Sequence, residues 1–279
     1  GIGAWPRRVL AELIRRAAEA GAAVIVLDVY FADAGVPQDD AALEAAIRDA
    51  GPVVLFGRLQ REVSGLSGAA SDGQVQVDRL LPPYAPFAHA AAAVAPFVLP
   101  KSPTRVDTVW THHPAAPDTP TLPAAALRVQ AGAVNCRPGA PSDRLRRAVC
   151  ALRVAPAERL LNFYGPPRTL DIVPAADLLR GPLPDFAGRA VFIGHVEPYF
   201  PNQTDSFLTA VSRPDGLDLS GVEIAATAYL NFLRDESLRT PPTPLMLLAL
   251  ALGGAVLAPL FLWTRPGATA PLVLVLLVV

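Results

Sequence analysis

Lysine is all but missing from this chain. It occurs once, at Lys101, so arginine carries nearly all the positive charge, and charged residues together make up only 18% of 279. The formal net charge is −1, which leaves no basic field of the kind that attracts nucleic acid. Cysteine is as scarce, with Cys136 and Cys150 alone. Their spacing fits no zinc pattern, and two readings stay open: a small disulfide loop in an oxidising compartment, or two free thiols. There is no Gly-x-Ser-x-Gly elbow, no P-loop and no Gly-x-Gly-x-x-Gly after a strand. The opening "GIGAW" lacks a third glycine and a preceding strand. No catalytic residue, metal or cofactor is expected. Nor is there a signal peptide, and position 1 is glycine, so the chain reads as an excerpt from something longer.

What the chain has in excess is apolar surface, at 52% of residues. The excess sits at the C-terminus. "LMLLALALGGAVLAPLFLW", Leu245 to Trp263, carries no charge and comes close to the ~20 residues that span a bilayer. Pro241, Pro242 and Pro244 precede it, Trp263 falls at an interface position, and Arg265 follows. After "TRPGATA" a second run, "PLVLVLLVV", begins. The expected layout is a globular domain over 1–240, a proline joint and membrane helix over 241–263, and a turn with the start of a second membrane helix over 264–279. Arg265 favours a cytoplasmic turn and hence an extracytoplasmic domain, although Arg234 and Arg239 pull the other way.

Within 1–240, "WPRRVLAELIRRAAEAG" reads as a helix from Pro6 to Gly21, leading into the buried strand "AAVIVLDV". Asp39 or Asp40 is expected to cap "AALEAAIRDAG", ahead of a second buried strand, "PVVLFGRL". Residues 60–83 read as a loop or excursion, "PYAPFAHAAAAVAP" as a short Ala-rich helix, and "PFVLP" and "RVDTVWTH" as strands, with a hairpin through Ser102 to Thr104 as one way to join them. "PAAPDTPT" reads as a loop and "LPAAALRVQAG" as a helix, and 133–158 show no clear period. "RLLNFYGPP" is a strand into a turn, "PAADLLRG" a short helix and "GRAVFIG" a third buried strand. Ser220 precedes the amphipathic helix "GVEIAATAYLNFLRDES". Alternating strand and helix give an α/β fold with a mostly parallel central sheet flanked by helices.

Ligands of parallel sheets sit beyond the carboxyl ends of strands. Asp28 ends the first strand, His195 follows Gly194 after the third, and Asp205 can fold back onto the same rim. A hydrolase built on these three is the competing enzyme reading. Glu197 raises the count of acids, but nothing fixes a metal geometry. His112 and His113, with Asp118 nearby, are adjacent on an extended segment and point to opposite faces, which argues against a shared ion. A phosphatase-type nucleophile at Asp28 needs an acid two residues on, where Tyr30 stands.

Taken in order, "GAAVIVLDVYF", "DDAALEAAI", "LLNFYGPPRTLDIVPAADLLRG", "GRAVFIG", "TDSFLT" and "GVEIAATAYLNFL" before prolines and an apolar hairpin form a specific series. It resembles the type-two CHASE domain, an extracellular sensory module joined to bacterial cyclases and histidine kinases. Two positions depart from the family pattern: Ala225 replaces a usual histidine and Ala95 a frequent glycine. The resemblance implies sensing rather than turnover, in the inner membrane with a periplasmic domain. It implies a homodimer, an unknown small-molecule or envelope ligand, and a cytoplasmic output, most often a nucleotide cyclase. A purely structural dimerisation module is the third reading. The ligand-facing candidates are Asp28, Phe31, Asn162, Tyr164, His195, Asp205 and Glu223.

Overall fold

A computed structural model describes residues 5–65, 74–100, 105–114, 116–134, 136, 143–154, 157–196, 206–214, 217–239 and 242–263. The chain divides into two compact units, residues 1–238 and 239–279. In chain order the first unit holds α1 (Arg7–Glu19), β1 (Val24–Leu27), α2 (Pro37–Asp49), β2 (Val53–Phe56), β3 (Arg58–Gly65), β4 (Gln74–Leu81), α3 (Ala85–Ala90) and β5 (Ala93–Ala95). It continues through β6 (Thr108–Trp110), β7 (His112–His113), β8 (Ala116–Pro120), α4 (Leu122–Ala131), α5 (Arg144–Val154), β9 (Glu158–Leu160) and α6 (Ala175–Arg180). The last elements are β10 (Ala190–Ile193), β11 (Ser206–Phe207), β12 (Leu219–Ser220) and α7 (Gly221–Arg234).

The centre is a four-stranded parallel sheet in the order β10-β1-β2-β5. All four residues of β1 are buried, because helices cover both faces. Side chains alternate across the sheet, so Val24 and Val26 join one core while Ile25 and Leu27 join the other. On the first face lie α4, α5 and α7, through Leu122, Leu127, Val149, Leu152, Ile224 and Phe232. The second face carries α1, α2, α3 and α6, through Leu13, Ile14, Leu43, Ile47, Phe87 and Leu178. The α/β expectation holds, and the three strands foreseen from apolar runs are β1, β2 and β10.

Several expectations need correction. The stretch 60–83 is not all loop: β3 and β4 pair antiparallel from Arg58↔Leu81 to Gly65↔Gln74. The Gly- and Ser-rich composition there belongs to the connection between them. The Ala-rich helix is short as expected, but the tail of the same stretch supplies β5, the sheet's fourth strand. "PFVLP" forms no strand, and β6 pairs with β9 instead. "PAAPDTPT" contributes β8, which pairs with β7. The aperiodic 133–158 contains α5, whose Ala148, Val149 and Leu152 are buried beneath an arginine-rich outer face. Neither Asp39 nor Asp40 caps α2, which starts at Pro37 after Val36. Asp40 instead pairs with Arg7 and accepts from Gly35 N–H at 2.8 Å. Burial raises its pKa, but the Arg7 guanidinium outweighs that and holds the carboxyl below its ordinary value.

The second unit contains α8 (Thr243–Trp263), which covers the apolar run. Side-chain placement in α8 is described to Val256 and at Ala258. Among the described residues no helix is long and apolar enough to cross a membrane, so the reading of a span rests on the sequence of Leu245–Trp263.

Candidate ligand cleft and chain exit

The order β10-β1-β2-β5 reverses direction between β1 and β10, because the chain builds outward to β5 before returning to β1's other edge. Such a reversal splays the connections and opens a crevice at the carboxyl ends. Here Leu27 lies opposite Ile193, and Asp28 N–H donates to Ile193 O at 2.8 Å. Asp28 and Gly194 therefore leave neighbouring strands side by side. A cleft of about 470 Å³ opens past the carboxyl ends of β1, β2 and β5, lined by Asp28, Tyr30, Phe56, Phe97, Val98, Leu99, Phe207 and Gly221.

Gly194 lets α7 approach this edge. A Cβ built on it would lie 2.7 Å from Val222 Cβ, an atom fixed to the helix backbone. Gly194→Ala is expected to push α7 off the sheet and cost about 1–3 kcal/mol, read as a lower denaturation midpoint at unchanged slope. A midpoint equal to that of the wild type counts against the contact.

The candidate residues fall into separate places. Asp28 is on the cleft wall. His195 is exposed one strand over and is not among the residues lining the cleft. Phe31 is buried, edge-on to Phe87 at 5.2 Å and beneath the Arg7 guanidinium at 5.7 Å. Glu197 and Asp205 lie outside the described residues. His113 is buried against the Trp110 ring, whereas His112 is partly exposed. Burial, then Arg128, holds the His112 pKa below its ordinary value, against the opposing pull of Asp118. Among the described residues no group of three or more His, Cys, Asp or Glu side chains is placed to hold a metal ion.

Glu223, Asn162 and Tyr164 bind the protein itself, at opposite ends of α7. At the N-terminus, Ser220 accepts from Glu223 N–H while Glu223 accepts from Ser220 N–H, a reciprocal capping box. The second Glu223 oxygen accepts from Arg168 N–H at 2.8 Å, fastening the turn after "NFYGPP" to the helix. Near the C-terminus Asn231 is fully buried. Its Oδ1 accepts from Asn162 N–H at 2.7 Å, and its Nδ2 donates to Asn162 O at 3.0 Å and to Tyr164 Oη at 3.2 Å. Tyr164 in turn donates to Glu236 at 2.7 Å. Burial, helped by that Glu236 bond, pushes the Tyr164 phenol up to about 12, so it stays a donor at neutral pH.

The same cluster holds the chain as it leaves the domain. The sequence suggested that α7 runs on to Glu236, but the helix ends at Arg234 with Asp235 in a left-handed conformation at φ 54°. Leu238 N–H then donates to Leu160 O of β9 at 3.1 Å. Arg159, also of β9, is buried over the Phe232 ring at 5.4 Å. It donates to Ala151 O in the last turn of α5 at 3.1 Å and lies 3.9 Å from the Asp235 carboxylate. A cation is favoured at these two helix C-termini.

A parallel sheet covered by helices on both faces, with a cleft at its carboxyl edge, defines a doubly wound α/β domain. The chain belongs to the CHASE2 domain family, whose model matches residues 1–262. CHASE2 domains are extracellular sensory modules. No curated protein and no solved structure matches the chain.

The sequence reading missed Tyr30, Phe56, Phe97 and Phe207. The signal for three of them was available, since Tyr30, Phe56 and Phe97 stand at or just past the carboxyl ends of β1, β2 and β5.

Proposed function

We propose that this chain is the extracytoplasmic sensor of a bacterial membrane receptor, and that filling the cleft shifts α7 and thereby the chain leaving at Leu238. One observation carries the reading: α7 runs from the cleft to the exit. Gly221, its first residue, lines the cleft, and Asn231 in its last turns bonds Asn162 and Tyr164, just past the Leu160 carbonyl that accepts from Leu238 N–H. Fourteen helical residues make a capped rod of about 21 Å, stiff enough to carry a displacement from one end to the other.

Other features support the placement. A disulfide joins Cys136 and Cys150, as suits an oxidising compartment such as the periplasm. The uncharged run Leu245–Trp263 suits an inner-membrane anchor. Pro241, Pro242 and Pro244 make a stiff joint before it, because proline fixes φ and lacks an N–H. On the family's usual partners the receptor works as a homodimer and its cytoplasmic output is a nucleotide cyclase, with kinases and diguanylate cyclases as the other outputs.

Two changes to the full-length receptor test this. Phe97→Arg plants a cation in the cleft and is expected to alter output while the domain melts as before. Replacing Pro241 and Pro242 with glycine is expected to leave the domain intact and uncouple it from output. Unchanged signalling in both sinks the reading.

A further inference from the structure

The cleft's chemistry identifies a class of ligand, an inference that rests on the cleft being the sensory site. Four of its eight lining residues are aromatic, and they come from four separate segments: Tyr30 after β1, Phe56 at the end of β2, Phe97 after β5 and Phe207 in β11. All four are half-buried. Tyr30 and Phe56 already stand edge to face, with centroids 6.2 Å apart and planes at 85°. Among the described lining residues one side chain is charged, and it is the carboxylate of Asp28.

Each ligand class makes a different demand on such a wall. A phosphate or carboxylate needs arginine, lysine or several N–H donors, and no basic side chain is among the described lining residues. A divalent cation needs several oxygen ligands, and the described lining residues offer one carboxylate. A neutral hydrocarbon would use the apolar area of the rings but gain nothing from the negative potential of their faces. An organic cation with an apolar surface uses both. The faces of aromatic rings carry negative potential, and an ammonium within ~6 Å of a ring centroid gains from it, more so as it is desolvated. Methyl groups on the nitrogen let the cation shed water cheaply and pack against Val98 and Leu99. Asp28 also interacts with another group of the chain, so the rings carry the selectivity and the carboxylate adds to the field.

We propose that the cleft binds a compact alkylammonium group, a quaternary or methylated amine, caged by Tyr30, Phe56, Phe97 and Phe207 beside Asp28. The volume of about 470 Å³ is in the range of small-molecule sites, which limits the ligand to a small organic cation or the ammonium head of a larger one.

The test compares choline with 3,3-dimethylbutan-1-ol, which has the same shape with carbon in place of the charged nitrogen. The full chain is kept in a maltoside detergent, which carries no ammonium, and binding is measured by calorimetry. Choline is expected to bind at least about tenfold tighter than the alcohol, the cation–π gain of a partly desolvated site. Phe97→Leu keeps the wall apolar and is expected to weaken choline by about tenfold while the alcohol changes less than about twofold. Equal binding of the two probes overturns the cage but leaves an apolar sensory cleft. Binding of neither also overturns it, and if Phe97→Arg leaves receptor output unchanged as well, the cleft reading falls with it. A melting temperature within about 2 °C of wild type shows that Phe97→Leu still folds.

Discussion

Asn231→Leu is expected to destabilise the domain by about 3 kcal/mol and lower its melting temperature by roughly 10 °C. Leucine has a similar volume, so volume alone predicts little change. The cost is polar. Asn231 satisfies both backbone groups of Asn162 and touches Tyr164 Oη. Without it the Asn162 N–H and C=O lose their partners inside a shielded cluster, at about 1–3 kcal/mol each. Asn231→Asp separates this from a volume effect. It keeps an acceptor for Asn162 N–H but turns the donor into an oxygen facing Asn162 O. That carboxylate is buried against the Asn162 carbonyl, with the Glu236 carboxylate on the far side of Tyr164, so its folded pKa is raised. Its stability is then fully present below the unfolded value of about 3.9 and lost as pH rises through the folded one. Thermal unfolding at pH 4 and pH 7 reads this out: the Asp variant gains stability at the lower pH relative to Asn231→Leu. Amide exchange at Leu238 should quicken in both variants, since the Leu238–Leu160 bridge leans on the same cluster. A shift under about 2 °C for Asn231→Leu would leave the cluster with no energetic role.

How far the sequence discloses this fold depends on which residues carry the signal. Val24–Leu27, Val53–Phe56 and Ala190–Ile193 are short apolar runs between turn residues, and central parallel strands read that way. Ala93–Ala95 has three small residues and no period of its own, so only its pairing with β2 makes it a strand. The hairpin 58–81 hides behind the Gly- and Ser-rich stretch it encloses, and α5 behind its arginines. At the cleft, Asp28 is legible from the strand-end rule, but Phe207 lies far along the chain and only topology brings it to Tyr30. Motif residues carry a different ambiguity. "NFYG" and "GVEI" mark Asn162, Tyr164 and Glu223 as special, yet in the structure the Glu223 side chain caps one end of α7, while the Asn162 backbone and the Tyr164 hydroxyl bond Asn231 near the other. A motif shows that a residue has a specific partner without showing whether that partner is a ligand or the protein.

Replacing Cys136 and Cys150 together with serine is expected to cost about 3 kcal/mol, the chain-entropy value for a loop of this length. The sulfurs join residues 14 apart in sequence and fix the approach to α5. Ala148, Val149 and Leu152 of that helix share a core with Ile224 and Phe232 of α7, and Arg159 bonds its last turn. The loss should therefore reach the exit cluster: Leu238 amide exchange is expected to quicken in the serine variant, by less than in Asn231→Leu. The same bond reports the compartment. Chain recovered from the cell envelope should carry no free thiol and run faster on a non-reducing gel than after reduction. Chain made without export should carry two thiols, because the cytoplasm keeps them reduced. Free thiols in envelope-derived protein would remove the disulfide's support for an extracytoplasmic domain. A serine variant as stable as wild type would show that α5 is held by its buried face alone.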